Sequence, residues 1–146
     1  MSSIQLSGAM QFGDSGAAAD LEDYTGLSKA IVHLGTNKVA SKPTYDDPRI
    51  YGRPGARQDT LELVFESDLN DAAGLHALLL GAFIAGTIVH WSGKYKNAAA
   101  SASNHRFTGS FYVTSLDVGH APGEAMETSL TVDLVTFSGP LTTDPA

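Results

Sequence analysis

Glu62 and Glu66 are the two carboxylates whose spacing most invites a chemical reading. Residues four apart on an extended strand share a face, and a pair of carboxylates so placed can divide proton donation and acceptance across a substrate. The sequence supplies no cleft around them, so the pair reads first as a solvated strand face. Five histidines (His33, His76, His90, His105 and His120) offer no metal-ligand spacing, because none stands three or four residues from another. Asp46-Asp47 lacks the regular acidic spacing of a calcium loop. There is no Gly-x-Ser-x-Gly turn for an activated serine. The Gly81 to Gly86 spacing matches a phosphate loop, yet Thr87 follows where the cation should be. Gly52-x-x-Gly55 is too short for a dinucleotide fingerprint, and the absence of cysteine removes thiolate chemistry and disulfides. No catalytic residue, metal or cofactor is therefore assigned, and the chain is expected not to be an enzyme.

The elements that must carry these residues are mostly strands. Residues 60–66 place Leu61, Leu63 and Phe65 inward and Glu62, Val64 and Glu66 outward. Residues 107–116 set Phe107, Phe111 and Val113 against Thr108, Ser110, Tyr112 and Thr114. Residues 126–137 put Leu130, Val132 and Leu134 inward, leaving Glu127, Ser129, Thr131 and Asp133 outward, and end on Ser138-Gly139-Pro140. Residues 28–34 form another strand, with Ala30, Val32 and Leu34 on one face, and residues 4–12 read as one short strand. Leu75, Leu78, Leu79 and Ala82 recur at the spacing of one helix face, with Asp68 or Asn70 as the expected N-cap and Gly81 or Gly86 as the stop. Between Asp71 and Lys94 no charged residue occurs, which raises a membrane span. His76, Thr87, His90 and repeated glycines interrupt that run, and Thr87-Ile-Val-His-Trp91 turns to strand formers, so a core helix followed by a buried strand accounts for it better. Residues 35–59 show no period and are broken by Pro43, Pro48, Pro54, Gly52 and Gly55, which predicts one long loop. Residues 96–105 are of low complexity and predict a mobile loop.

The result is a mainly β chain with one helix: an antiparallel β-sandwich or partly closed barrel flanked by an α-helix. Its 146 residues suit a single domain (1–146), with an N-terminal strand and arm (1–25), a long loop (37–59) and a C-terminal tail (140–146). The formal charge of −7 argues against gripping a nucleic acid, whose affinity comes from Lys and Arg neutralising phosphates. Charge is also uneven. After Arg106 come Asp117, Glu124, Glu127, Asp133 and Asp144 without a Lys or Arg, whereas Lys38, Lys42, Arg49, Arg53 and Arg57 outnumber Asp46 and Asp47 in the loop. The first residues lack the basic head and apolar run of a signal peptide, so no export by the usual route is expected.

Several features combine into a recognisable pattern. They are the loop 37–59 between two early strands, Thr60-Leu-Glu-Leu-Val-Phe-Glu-Ser-Asp68 leading into the helix, and the closing run of residues 107–116, Pro122-Gly-Glu124, residues 129–137 and Ser138-Gly-Pro140. Over about residues 26–140 the chain thereby resembles the major tail tube proteins of long-tailed (siphovirus-like) bacteriophages. That resemblance implies hexameric rings whose subunits lend strands to a shared inner barrel, stacked into a hollow tail tube through which the genome is ejected. It further implies an outer helix, and a long loop and termini that bridge neighbours. The implied location is the virion tail, assembled in the bacterial host cytoplasm. The implied partners are further copies of the chain, other tail proteins such as the tape measure and terminator, and DNA in transient, non-sequence-specific passage, with no membrane. On this resemblance the expected lumen-facing residues are Thr108, Ser110, Thr114, Glu127, Ser129, Thr131 and Asp133. The expected contacts between subunits and rings are Lys42, Tyr45, Asp46, Asp47, Arg49, Ile50, Tyr51, Arg53 and Arg57. The alternatives are a tail terminator or head–tail joining ring, which does not polymerise, and a small-ligand or carbohydrate-binding sandwich in which Trp91, Tyr95 and Tyr112 supply stacking surfaces.

Overall fold

The computed structural model describes residues 2–6, 10–40, 44–46, 49, 52–70, 72–118 and 126–145. Its elements are β1 (Ser2–Gln5), β2 (Met10–Gly13), β3 (Glu22–Asp23), β4 (Leu27–Leu34), β5 (Thr36–Ala40), β6 (Gly52–Arg57), β7 (Thr60–Glu66), α1 (Leu75–Ala85), β8 (Ile88–Lys94), β9 (Arg106–Tyr112) and β10 (Glu127–Leu141). Eight strands form one antiparallel sheet in the order β1-β4-β7-β10-β9-β8-β2-β3, and β5 pairs with β6 in a separate hairpin. The sheet curls into a half-barrel with the one helix beside it, the mainly β class that the alternation predicts.

Strand β10 makes the curl. Its first half pairs with β7, setting Leu130 opposite Leu63 and Val132 opposite Leu61. Its second half pairs with β9, setting Leu134 opposite Phe111 and Phe137 opposite Gly109. Between Leu134 and Thr136 the register slips by one residue, a β-bulge that bends the strand and raises its twist. The slip also changes parity. Thr128, Leu130 and Val132 are buried before it, Val135 is turned out to solvent at it, and Phe137 packs inward beyond it. Strict alternation across residues 126–137 cannot anticipate that change, and the strand runs on through Ser138-Gly-Pro140 to Leu141 rather than closing there.

Inside the curl, Ala30, Val32, Leu61, Leu63, Phe65, Leu130 and Val132 from one half meet Phe12, Val89, Trp91, Phe107, Phe111 and Val113 from the other, and Leu75, Leu79 and Ala82 of α1 join the same core. Trp91 is laid flat across β9. Its ring stacks on Phe137 at 6.2 Å, which in turn stacks on Phe107 at 5.9 Å. Gly109 permits this, since a Cβ there would stand 2.8 Å from Trp91 Nε1 and closer still to the Thr136 carbonyl.

Four local expectations are corrected by tertiary contacts. The N-terminal segment forms two strands on opposite sides of the sheet, β1 beside β4 and β2 beside β8, rather than one. The helix begins after Gly74 with no side-chain cap. The Leu75 amide donates instead to the Thr25 carbonyl at 3.0 Å, while Asp68 accepts from the nearby Asn70 amide. Gly86, with φ +69°, ends the helix as the glycine signal suggested. Residues 35–59 include the β5–β6 hairpin, which alternation misses because Gly52, Pro54 and Gly55 in β6 contribute backbone pairing without an apolar face. Residues 96–105 are organised rather than loose: buried Asn104 donates from Nδ2 to the Lys96 and Ala98 carbonyls at 3.1 Å and accepts the Lys96 amide at 3.0 Å.

Two glycines should respond oppositely to an added methyl. Gly109→Ala is expected to cost about 1–3 kcal/mol through overpacking against Trp91 and the Thr136 carbonyl. Gly81→Ala, mid-helix and with open space around its Cβ, is expected to stabilise by about 0.5–1 kcal/mol. Urea midpoints at unchanged m-value check both.

Candidate functional site

The outward face of β4, β7 and β10 carries Lys29, Glu62, Glu66, Glu127 and Asp133. Cross-strand register makes three rows: Lys29, Val64 and Ser129; Ile31, Glu62 and Thr131; His33, Thr60 and Asp133. A further pair, Glu66 opposite Glu127, closes one end. Glu127, Ser129, Thr131 and Asp133 are all exposed, as the alternation predicts.

Only part of this acidity is compensated. His33 Nε2 donates to Glu62 Oε2 at 3.0 Å, and Lys29 Nζ lies 3.6 Å from Glu62 Oε1. The His33 hydrogen bond first, and the Lys29 charge second, hold the Glu62 carboxyl below its ordinary value. Glu62 is thus committed and not a free general base, which removes the carboxylate pair as an acid–base device. Glu66, Glu127 and Asp133 have no ionic partner among the described residues. Glu66 and Glu127 stand directly opposite each other, an arrangement that costs rather than gains stability within one chain.

The other expected wall residues divide. Thr108 is half-buried and Thr114 exposed. Ser110 departs from an open position: it is 1% exposed, and its hydroxyl hydrogen-bonds to Thr136 Oγ1 at 2.7 Å, because β8 and β10 flank β9 closely at that row. Lys29 and His33, which the reading of the face left out, follow the same two-residue period on β4 and were legible there.

Of the loop residues, Tyr45, Asp46 and Arg49 are exposed and Arg53 lies in β6 opposite Val39. Lys42, Asp47, Ile50 and Tyr51 lie outside the described residues. Arg57 pairs with Asp59 at 3.0 Å, with its guanidinium 5.9 Å from the Phe137 ring centre. Arg57, Asp59 and Asp133 line one cavity of about 260 Å³, so the two expected sets of residues meet at the base of the hairpin.

Trp91 is 1% exposed and cannot stack on a ligand, which removes one of the three stacking residues of the carbohydrate-binding alternative, while Tyr95 and Tyr112 are exposed. Among the described residues no three His, Asp or Glu gather as a metal site, and no helix is long and apolar enough to cross a membrane.

Among the described residues the geometry is a curled eight-stranded antiparallel sheet with β1 and β3 at its edges, one helix and a separate two-stranded hairpin. The sequence matches no family model, and no curated protein matches it. Among solved structures it is similar to the SPP1 tail tube, with a TM-score of 0.65 at 16% identity over 94% of this chain and 76% of that one. It is also similar to the tail of an empty gene transfer agent particle with C6 symmetry, with a TM-score of 0.59 at 15% identity over 92% and 93% of the two chains. A chain of the native gene transfer agent virion gives 0.58 at 12% identity over 89% and 95%. The chain has the tail tube fold that the sequence resemblance led one to expect.

The Glu62 cluster fixes a pH dependence. A carboxyl depressed in the folded state stabilises above its unfolded pKa, and that contribution is lost as pH falls through the folded value. Glu62→Gln is expected to lower Tm by no more than a few degrees at pH 7. The difference from the parent chain should shrink below about pH 4, where carboxyls protonate. Thermal unfolding followed by circular dichroism at pH 7, 5 and 3 reads it.

Proposed function

We propose that the chain is a structural protein of a phage-type tail, six copies of which join edge to edge into a ring that stacks into a hollow tube conducting the genome. The observation that carries this reading is the open, under-neutralised acidic face of β7 and β10 on a sheet whose two outer strands, β1 and β3, have one strand neighbour each among the described residues. Unpaired sheet edges recruit further strands, and closure into a barrel abolishes them. Six is the symmetry of the gene transfer agent tail, which shares the fold.

In such a ring Glu127, Ser129, Thr131 and Asp133, with Thr108 and Thr114 beside them, form the inner wall. A conduit has to avoid holding its cargo, and each phosphate contact by a cation strengthens binding and slows passage. Carboxylates repel the duplex, while short hydroxyl side chains keep the wall hydrated. The hairpin and its connection, with Lys42, Tyr45, Asp46, Asp47, Arg49, Ile50, Tyr51, Arg53 and Arg57, bridge successive rings. Further copies are the main partners. Tape measure and terminator proteins meet the tube at its lumen and end, and assembly takes place in the host cytoplasm. A non-polymerising terminator ring shares the fold logic but gives no reason for a basic hairpin beside an otherwise acidic chain.

Electron microscopy of the purified protein tests the assembly, with stacked rings expected. Replacing Glu127 and Asp133 with Lys should leave tubes intact and slow DNA ejection several-fold at low salt, the slowing fading as salt rises. Unchanged kinetics would remove these residues from the wall. Deleting residues 42–53 should give soluble subunits or single rings by sedimentation, and tubes of normal length would rule out the bridging role.

A further inference from the structure

Helix α1 is apolar on both sides. Leu75, Leu79 and Ala82 fill the core, yet the far side, where a surface helix carries charge, leaves Phe83 43% and Ile84 76% exposed. No Asp, Glu, Lys or Arg occurs in Leu75–Ala85. Beside the helix runs a groove of about 330 Å³ with Ala77, Leu78, Gly81 and Ile88 in its lining and Asp14 at its rim. Asp20, Glu22 and Asp23 follow Asp14 on the surface, and the first 28 residues contain no Lys or Arg. Asp14 and Glu22 lie near enough to Tyr24 to add to the upward push that burial gives its phenol. Asp14, Glu22 and Asp23 have no ionic partner among the described residues.

An apolar groove with one carboxylate, Asp14, in its lining, beside an N-terminal stretch that holds acids and no Lys or Arg, suits an occupant that is apolar at its tip and basic around it, and the chain carries such a segment. Residues 36–57, the β5–β6 hairpin and its connection, hold five bases against two acids, and Tyr45 within them is fully exposed. We propose that the hairpin tip of one copy seats in the α1 groove of a neighbouring copy, with Tyr45 on the apolar lining and the hairpin's bases facing Asp14, Glu22 and Asp23. The inference rests on the reading of the chain as a tube subunit and names the surface that receives the hairpin. A projection and a groove at different places on one chain make a heterologous contact, which propagates through an assembly instead of ending in a dimer.

The chain has no cysteine, so engineered thiols report without background. Copies carrying Tyr45→Cys and copies of a different tagged length carrying Gly81→Cys are mixed, assembled and oxidised. A disulfide joining the two lengths is expected, while Val118→Cys mixed with Gly81→Cys should give none. In a second arm, Asp14→Lys, Glu22→Lys and Asp23→Lys together should raise the concentration needed for stacking at least tenfold, and adding Arg49→Glu and Arg53→Glu should restore it. Tubes that form without the mixed disulfide, or that ignore the charge reversal, would overturn the groove as receptor and leave the tube reading intact. A parent chain that stays monomeric at every concentration and salt would overturn both.

Discussion

Two register slips in β10, between Leu134 and Thr136 and between Ser138 and Leu141, bear on the shape of the molecule. A regular strand of that length would keep one parity from Glu127 to Leu141 and one plane of pairing. The strand pairs with β7 along residues 127–133 and with β9 along residues 134–141, and the slip between Leu134 and Thr136 falls where it passes from one to the other, so the two halves of the sheet share one core. Trp91 and Phe137 fill the space just beyond the bend, and Gly109 yields the room they need. Both effects have one cause. The bend that encloses the apolar residues also leaves the Glu127–Asp133 stretch on the outer side of a nearly continuous polar surface with β4 and β7.

That surface carries its charge at a cost. A cross-strand pair of like charges such as Glu66 and Glu127 opposes folding, and a Lys or Thr at either position would relieve it. Lys29 and His33 answer Glu62, leaving Glu66, Glu127 and Asp133 without an ionic partner among the described residues. Solvated acids are common, and their meaning here comes from position: they lie along the central strands of the sheet rather than in a loop. If copies are placed edge to edge, these strands become the middle of each subunit's share of the wall, and the repulsion is directed at whatever occupies the enclosed space.

The strands with one buried face were legible from the sequence because burial writes a period of two. Residues 60–66 and 28–34 appear nearly as read, and so do the helix face of Leu75, Leu79 and Ala82 and the Gly86 stop. What escaped was held by contacts that leave no period. The Thr25 carbonyl caps α1 from fifty residues away, Asn104 gathers the carbonyls of its own loop, and β5 pairs with β6 where the sequence shows no apolar alternation. The candidate face was legible on β7 and β10 and overlooked on β4, where Lys29 and His33 follow the same rule. Ser110 failed for a different reason: alternation gives the side of a sheet and says nothing about how closely the neighbouring strands crowd it.

The uneven charge of the chain fits an assembly built from many weak contacts. A basic segment meeting acidic residues of a neighbouring copy would gain little as a single event, since exposed ion pairs contribute about 0–1 kcal/mol and ordering a segment consumes part of any gain. Stacking changes the arithmetic, because once one hairpin in a proposed ring is seated the others bind from high effective concentration. If each contact contributed about 1.4 kcal/mol, six acting together would strengthen stacking by about a millionfold at most. Subunits would then stay soluble at low concentration while a completed ring held its neighbour firmly. The hairpin's register is set by pairing within the chain, so in the proposed stack its sequence can be given over to charge rather than to an apolar face.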